Sequence, residues 1–141
     1  MRFMVIVKAT EATEAGVMPT TEEFAEMGRF NEELVAAGMM EAGEGLHPTS
    51  RGYRIAWSKD GPTVIDGPFA ETKELVAGFW LLRADSEQQV LDYMKRAPFK
   101  PGDAIEIRRV FAAEDFGEAF TPELREQEDR MRAETADLKA G

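Results

Sequence analysis

The residues of this chain equipped for chemistry gather in three places. Asp66, Glu71 and Lys73 fall within Asp-Gly-Pro-Phe-Ala-Glu-Thr-Lys-Glu, residues 66–74. Glu106 and Arg108 alternate with isoleucines in Ile-Glu-Ile-Arg, and the single histidine, His47, stands before Pro48. A carboxylate held at a strand end near a lysine or arginine can act as a base or bind a polar ligand. A guanidinium binds an anion bidentately. An imidazole, with an unperturbed pKa of about 6.5, is the easiest proton carrier available. Each group also has a plainer use. Asp66 can cap a turn, Lys73 can pair with a neighbouring acid, Glu106 and Arg108 can pair with each other or across an interface, and a lone His47 can be structural or simply exposed.

Composition excludes several alternatives. The 141 residues fit one domain with a real core, and 43% hydrophobic with 31% charged residues is a soluble globular balance. With no cysteine there is no thiolate metal site, disulfide or cysteine nucleophile, and one histidine argues against a histidine-rich metal centre or a Ser-His-Asp triad. A net charge of −10 disfavours a nucleic-acid partner. The first apolar run, Phe3 to Val7, is too short for a leader or a membrane span, so a cytoplasmic location is expected. Gly43-Glu44-Gly45 lacks the third glycine of a dinucleotide fingerprint, and no phosphate-loop or zinc-protease motif is present, so no metal and no cofactor is expected.

The elements that must position these groups follow from periodicity. Residues 2–8, 39–48, 53–58, 63–66, 76–82 and 103–111 read as strands, with a Lys59-Asp60-Gly61-Pro62 turn making 53–66 a hairpin. Residues 9–19 show no apolar period and read as a loop, either idle or a lid. Thr20 with Glu23 starts a helix carrying Phe24, Met27, Phe30 or Asn31, Leu34 and Ala37 on its apolar side, and Gly38 stops it. Ser86 with Gln89 starts a second, with Val90, Leu91, Met94 and Ala97 inward and Pro98 closing it. Thr121-Pro122-Glu123 opens an acidic third helix. Residues 114–141 hold nine acids and four bases. The order is βαβ, hairpin, βαβ, helix: an α+β, ferredoxin-like domain over residues 1–111 with a helical tail over 112–141.

Strands 2–8 and 76–82 are apolar on both faces, yet two helices cover only one. The tail, with one large apolar residue per seven (Leu124, Met131, Leu138), covers only a narrow seam. A homodimer packed sheet to sheet, with the tail as a clasp, is therefore expected. At the opening motif, Gly67-Pro68 turns the chain out of its strand, Phe69 plugs the exit into the core, Asp66 accepts the free amides of the turn, and residues 70–74 form one helical turn. Arg54 reads as a solvated edge charge, and Trp57 and Trp80 as core or interface.

The block Asp66–Glu74 followed by a Gly-Phe-aromatic strand resembles the DGPF-domain branch of the YCII-related family, as do Gly45-Leu46-His47-Pro48 and the closing Pro98, Gly102 and Ile105–Arg108. The resemblance covers about residues 1–111. It implies a ferredoxin-like dimer of the dimeric α/β-barrel type, with a cleft at the subunit junction, in a family largely without assigned reactions. Similar members are often encoded beside extracytoplasmic-function sigma factors, which implies a regulatory or stress role; in a non-catalytic interaction module the acidic tail, outside the resemblance, becomes the contact surface for a basic protein partner. In the YCII branch a histidine on the first helix and a nearby aspartate are a proposed catalytic pair. Residues 20–38 contain no histidine, and Met27 and Phe30 occupy that region, so the pair does not carry over. Two readings stay open. The first is a domain with a small-molecule cleft. The second is a cofactor-free acid–base enzyme using Asp66 as base or orienter, His47 as proton carrier and Lys73 and Arg108 as anion binders, with Glu71 and Glu106 alongside.

Overall fold

A computed structural model describes residues 1–140, excluding the side chain of Lys73. Its elements are β1 (Arg2–Lys8), α1 (Glu11–Glu14), α2 (Thr21–Ala36), β2 (Met40–Gly45), β3 (Tyr53–Ser58), β4 (Gly61–Asp66), β5 (Val76–Arg83), α3 (Glu87–Met94), β6 (Ile105–Arg109) and α4 (Pro122–Ala140). The chain divides into two units, Met1–Val110 and a second beginning at Phe111.

In the first unit four strands form one antiparallel sheet in the order β2-β5-β1-β6, and β3 and β4 form a separate ribbon. With two helical crossovers this is the ferredoxin-like arrangement, an α+β fold. Phe3 and Val5 of β1 and Trp80 and Leu82 of β5 share one sheet face by strand alternation, and they are buried with Phe30 and Leu34 of α2 and Val90 and Met94 of α3. Trp80 sits edge-on to both Phe30 and Phe99, with centroids 6.1 Å apart in each pair, and its indole N–H donates to Asn31 Oδ1 at 2.9 Å. Asn31 on an otherwise apolar helix face thus satisfies a buried donor. A side chain at Gly43, opposite Trp80 on β2, would bring Cβ within 2.9 Å of the indole.

The helix starts hold with one change. Thr20 Oγ1 accepts from the Glu23 amide and Glu23 accepts from the Thr20 amide, a full capping box. Ser86 caps α3 by accepting from the Gln89 amide, but Gln89 returns to Asp85 N–H instead. Gly38 follows α2 with φ of +71°, a conformation that favours glycine. Helix α3 ends at Met94, four residues before Pro98, as Arg96 and Ala97 tighten into three-residue closures onto Tyr93 and Met94. Phe24 and Leu91, expected inward, are exposed at 59% and 42%.

Residues 9–19 are not a bare loop. Thr10 and Thr13 form a reciprocal cap that nucleates the one-turn α1. Short polar capping does here what apolar period did not announce. Strand β4 starts at Gly61, earlier than expected, because the ladder continues to Ser58–Gly61. Strands β2 and β6 are shorter than expected.

In the second unit, Phe111, Phe116 and Phe120 form an aromatic chain with centroids 5.0 and 5.3 Å apart. The Leu124 amide donates to Thr121 Oγ1, the expected cap of α4. That helix buries none of its residues, and Leu124, Met131 and Leu138 are all exposed. No helix among the described residues is long and apolar enough to cross a membrane.

Candidate functional site

Strand register gathers most candidate residues at one end of the sheet. The C-terminal end of β1 meets the N-terminal ends of β5 and β6, with Lys8 opposite Val76 and Val7 opposite Ile105, while Gly45 at the end of β2 faces Gly78. The 66–75 turn therefore enters the sheet where β1 leaves it, and the Ala9 amide donates to Leu75 O at 2.8 Å. His47 follows from β2 at this same end, where the Leu46 amide donates to Ala77 O.

The turn at Asp66-Gly67-Pro68-Phe69 is held differently from the sequence reading. Its free amides do not go to Asp66. The Gly67 amide donates to Gly52 O at 3.0 Å, and the Phe69 amide donates to Thr49 Oγ1 at 3.1 Å. Thr49 in turn donates its hydroxyl to Glu14 Oε2 at 2.6 Å and its amide to Glu14 Oε1 at 3.2 Å. One threonine thus joins α1, the helical turn at Thr49–Arg51 and the 66–69 turn. A Cβ on Gly67 would lie 1.7 Å from Thr49 O, so this backbone approach requires glycine. The Gly67–Pro68 peptide is cis. Phe69 does not plug the core. It stays half-buried under the Arg54 guanidinium, 3.8 Å from the ring centroid, while Leu75 at 4% exposure takes the buried position. Arg54 is accordingly a stacking residue as well as an edge charge.

Asp66 ends β4, exposed, opposite Tyr53. Glu71 is exposed and precedes a three-residue helical turn at Thr72–Glu74. The side chain of Lys73 lies outside the described residues. His47 is exposed, and Arg51 Nη1 contacts its two ring nitrogens at 3.2 and 3.3 Å. Glu106 faces Ile6 and Arg108 faces Met4, on the sheet face away from the helices, as strand alternation required. Lys8 Nζ lies 3.3 Å from Glu106, and Arg108 Nε lies 4.0 Å from the same carboxylate. Among the six candidates, Glu106 and Arg108 are brought within ion-pair range; no hydrogen bond joins Asp66, His47 or Glu71 to another of them among the described residues.

The sheet face opposite α2 and α3 carries Met4 and Ile6 of β1 and Phe79 and Leu81 of β5, each half-buried. Charges frame this apolar floor at both ends. Lys8, Glu106 and Arg108 stand along one side, and Glu41, bonded by Arg2 at 3.0 Å and by Arg83, stands at the other end. Partial burial pushes the Glu41 carboxyl up, but the hydrogen bonds from Arg2 and Arg83 outweigh it and hold it below the ordinary carboxylate value. Sequence reasoning missed Thr49, Glu14 and Glu41. Their partners lie 20 to 42 residues away, and no local spacing marks them.

Known proteins place the chain. A solved structure, 5-chloro-2-hydroxyhydroquinone dehydrochlorinase from Burkholderia phenoliruptrix AC1100 in complex with 2,5-dihydroxybenzoquinone, covers 82% of this chain and 98% of its own at 18% identity, with a TM-score of 0.47. An uncharacterised protein of Rhizobium meliloti (strain 1021) is 33% identical over 70 residues, which are 50% of this chain and 56% of that relative's length. The sequence profile of the YCII-related domain matches residues 1–114, and the chain belongs to the YCII-related family.

Proposed function

We propose that this protein is a homodimer that binds a small molecule carrying an acidic group, in a cleft along the sheet face opposite α2 and α3 at the subunit junction. The observation carrying this reading is the pairing of an apolar floor, Met4, Ile6, Phe79 and Leu81, with a guanidinium that is 73% exposed and only loosely tied to Glu106 at 4.0 Å. Arg108 therefore retains N–H donors for a carboxylate or similar anion. A second subunit over the floor would exclude water and strengthen that contact. The alternative of a cofactor-free acid–base enzyme has less support, since Asp66 and His47 are exposed and hydrogen-bonded to neither each other nor the Glu106–Arg108 pair.

The test is a thermal-shift panel of small aromatic and aliphatic carboxylates, run with light scattering. A compound that raises the melting temperature of the wild type and fails on Arg108→Ala supports the site. Equal stabilisation of both proteins, or a monomeric wild type at micromolar concentration, removes it. In the regulatory alternative, deleting residues 115–141 abolishes binding to a protein partner while leaving the fold intact.

A further inference from the structure

The β3–β4 ribbon shows one face made almost wholly of apolar side chains. Residues directly opposite in an antiparallel ladder share a face. Tyr53 opposes Asp66, Ile55 opposes Val64, and Trp57 opposes Pro62. Tyr53, Ile55, Trp57 and Val64 are exposed at 72%, 51%, 75% and 62%, and the one charge on this face is Asp66 at the base. The other face is the one on which Arg54 reaches Phe69. Trp57, read as core or interface, is thus not core.

We infer that this ribbon is an arm that buries its Tyr53–Ile55–Trp57 face against a second copy of the chain, each subunit of the dimer receiving the other's arm. The inference rests on the homodimer proposed above and assigns the surface that holds it together. Three observations select a second copy over another occupant. A two-stranded ribbon is at best marginally stable alone, and two aromatics at three-quarters exposure need a constitutive cover, which an equimolar twin provides. A chain of net charge −10 repels its own copies least across a surface with few charges, and this face carries a single one, Asp66 at its base. The area also closes. At 150–250 Å² per fully buried aromatic, the exposed parts of Tyr53, Ile55, Trp57 and Val64 amount to roughly 400 Å² per arm. A subunit that gives one arm and receives another then buries about 800 Å², the share of a standard stable interface. The four half-buried residues of the sheet face opposite α2 and α3 alone supply much less.

The chain has no cysteine, so the Ser58→Cys protein takes a single benzophenone photo-crosslinker at the arm's tip. The expected result is covalent dimer on illumination, with the crosslink mapping to the partner subunit. In parallel, the Tyr53→Ser/Trp57→Ser double variant should dimerise at least thirtyfold more weakly in sedimentation experiments, the loss typical of one interface hot spot, with circular dichroism unchanged. A wild type that sediments as a monomer brings down the homodimer and this inference together. A wild-type dimer whose arm crosslinks only within its own subunit or to unrelated protein overturns the arm alone, and so does a folded double variant that dimerises as tightly as wild type.

Discussion

Thr49 is the side chain on which the turn region depends, and replacing it with valine isolates its hydroxyl. Valine keeps the β-branched shape and the backbone amide that donates to Glu14 Oε1. It removes the hydroxyl that donates to Glu14 Oε2 at 2.6 Å and accepts from the Phe69 amide at 3.1 Å. A hydrogen bond to a charged acceptor is worth about 1.5–3 kcal/mol, and an amide left without its acceptor costs about 1–3 kcal/mol when buried. Both contacts are only partly buried, which draws each toward its lower limit, so Thr49→Val should destabilise by about 2–3 kcal/mol. Thr49→Ser, which keeps the oxygen, should cost about 1 kcal/mol or less. The assay is equilibrium guanidinium unfolding, read as a shift in midpoint at constant slope. A double-mutant cycle with Glu14→Ala should return a coupling of about 1–2 kcal/mol between the two sites. A Thr49→Val midpoint within about 0.5 kcal/mol of wild type, or a coupling below about 0.3 kcal/mol, would refute the claim that one threonine ties α1 to the 66–69 turn.

Two further perturbations test the frame around it. Gly67→Ala places a Cβ 1.7 Å from the Thr49 carbonyl oxygen, so the turn must move away and lose the Gly67 bond to Gly52. Overpacking with a lost hydrogen bond should cost about 3 kcal/mol or more in the same unfolding assay, and a cost under 1 kcal/mol would contradict the close approach. For Glu41, the folded carboxyl titrates below its unfolded value of about 4.3, so its contribution is complete above that pH and is lost as pH falls through the lower folded value. With Arg83 largely exposed, that contribution is discounted to about 0.5–1 kcal/mol. The Glu41→Gln protein should therefore trail wild type at pH 7 and converge with it in acid; a gap that persists unchanged at pH 3 would show that the carboxylate charge is not its source.

Local chemistry made much of this molecule legible in its sequence. The alternation of Phe3, Val5 and Val7 with Met4 and Ile6, and the run at 76–82, announce strands apolar on both faces because side-chain direction alternates strictly along extended chain. The same parity set Glu106 and Arg108 on the face opposite α2 and α3. Thr20–Glu23 and Gly38 bounded α2 because caps and left-handed stops act within four residues. Where the relevant distance was spatial, residue order said little. Asp66 was the near acceptor for the turn amides, but the path of the chain brought Thr49 and Gly52 closer, and Glu14, from a stretch without apolar period, completed the connection. Phe69 and Leu75 both carry enough apolar surface to fill the exit, and the fold buries Leu75, whose carbonyl accepts from the Ala9 amide, and leaves Phe69 half-buried.

The sequence by itself determined the order of elements, their apolar faces and their caps, because those depend on neighbours a few residues away. Only the tertiary structure decided which distant groups meet: Thr49 with Glu14 and Phe69, Glu41 with Arg2 and Arg83, Arg54 with Phe69. Those meetings arise when separate strands and turns converge at the ends of the sheet, and no periodicity along the chain encodes that convergence.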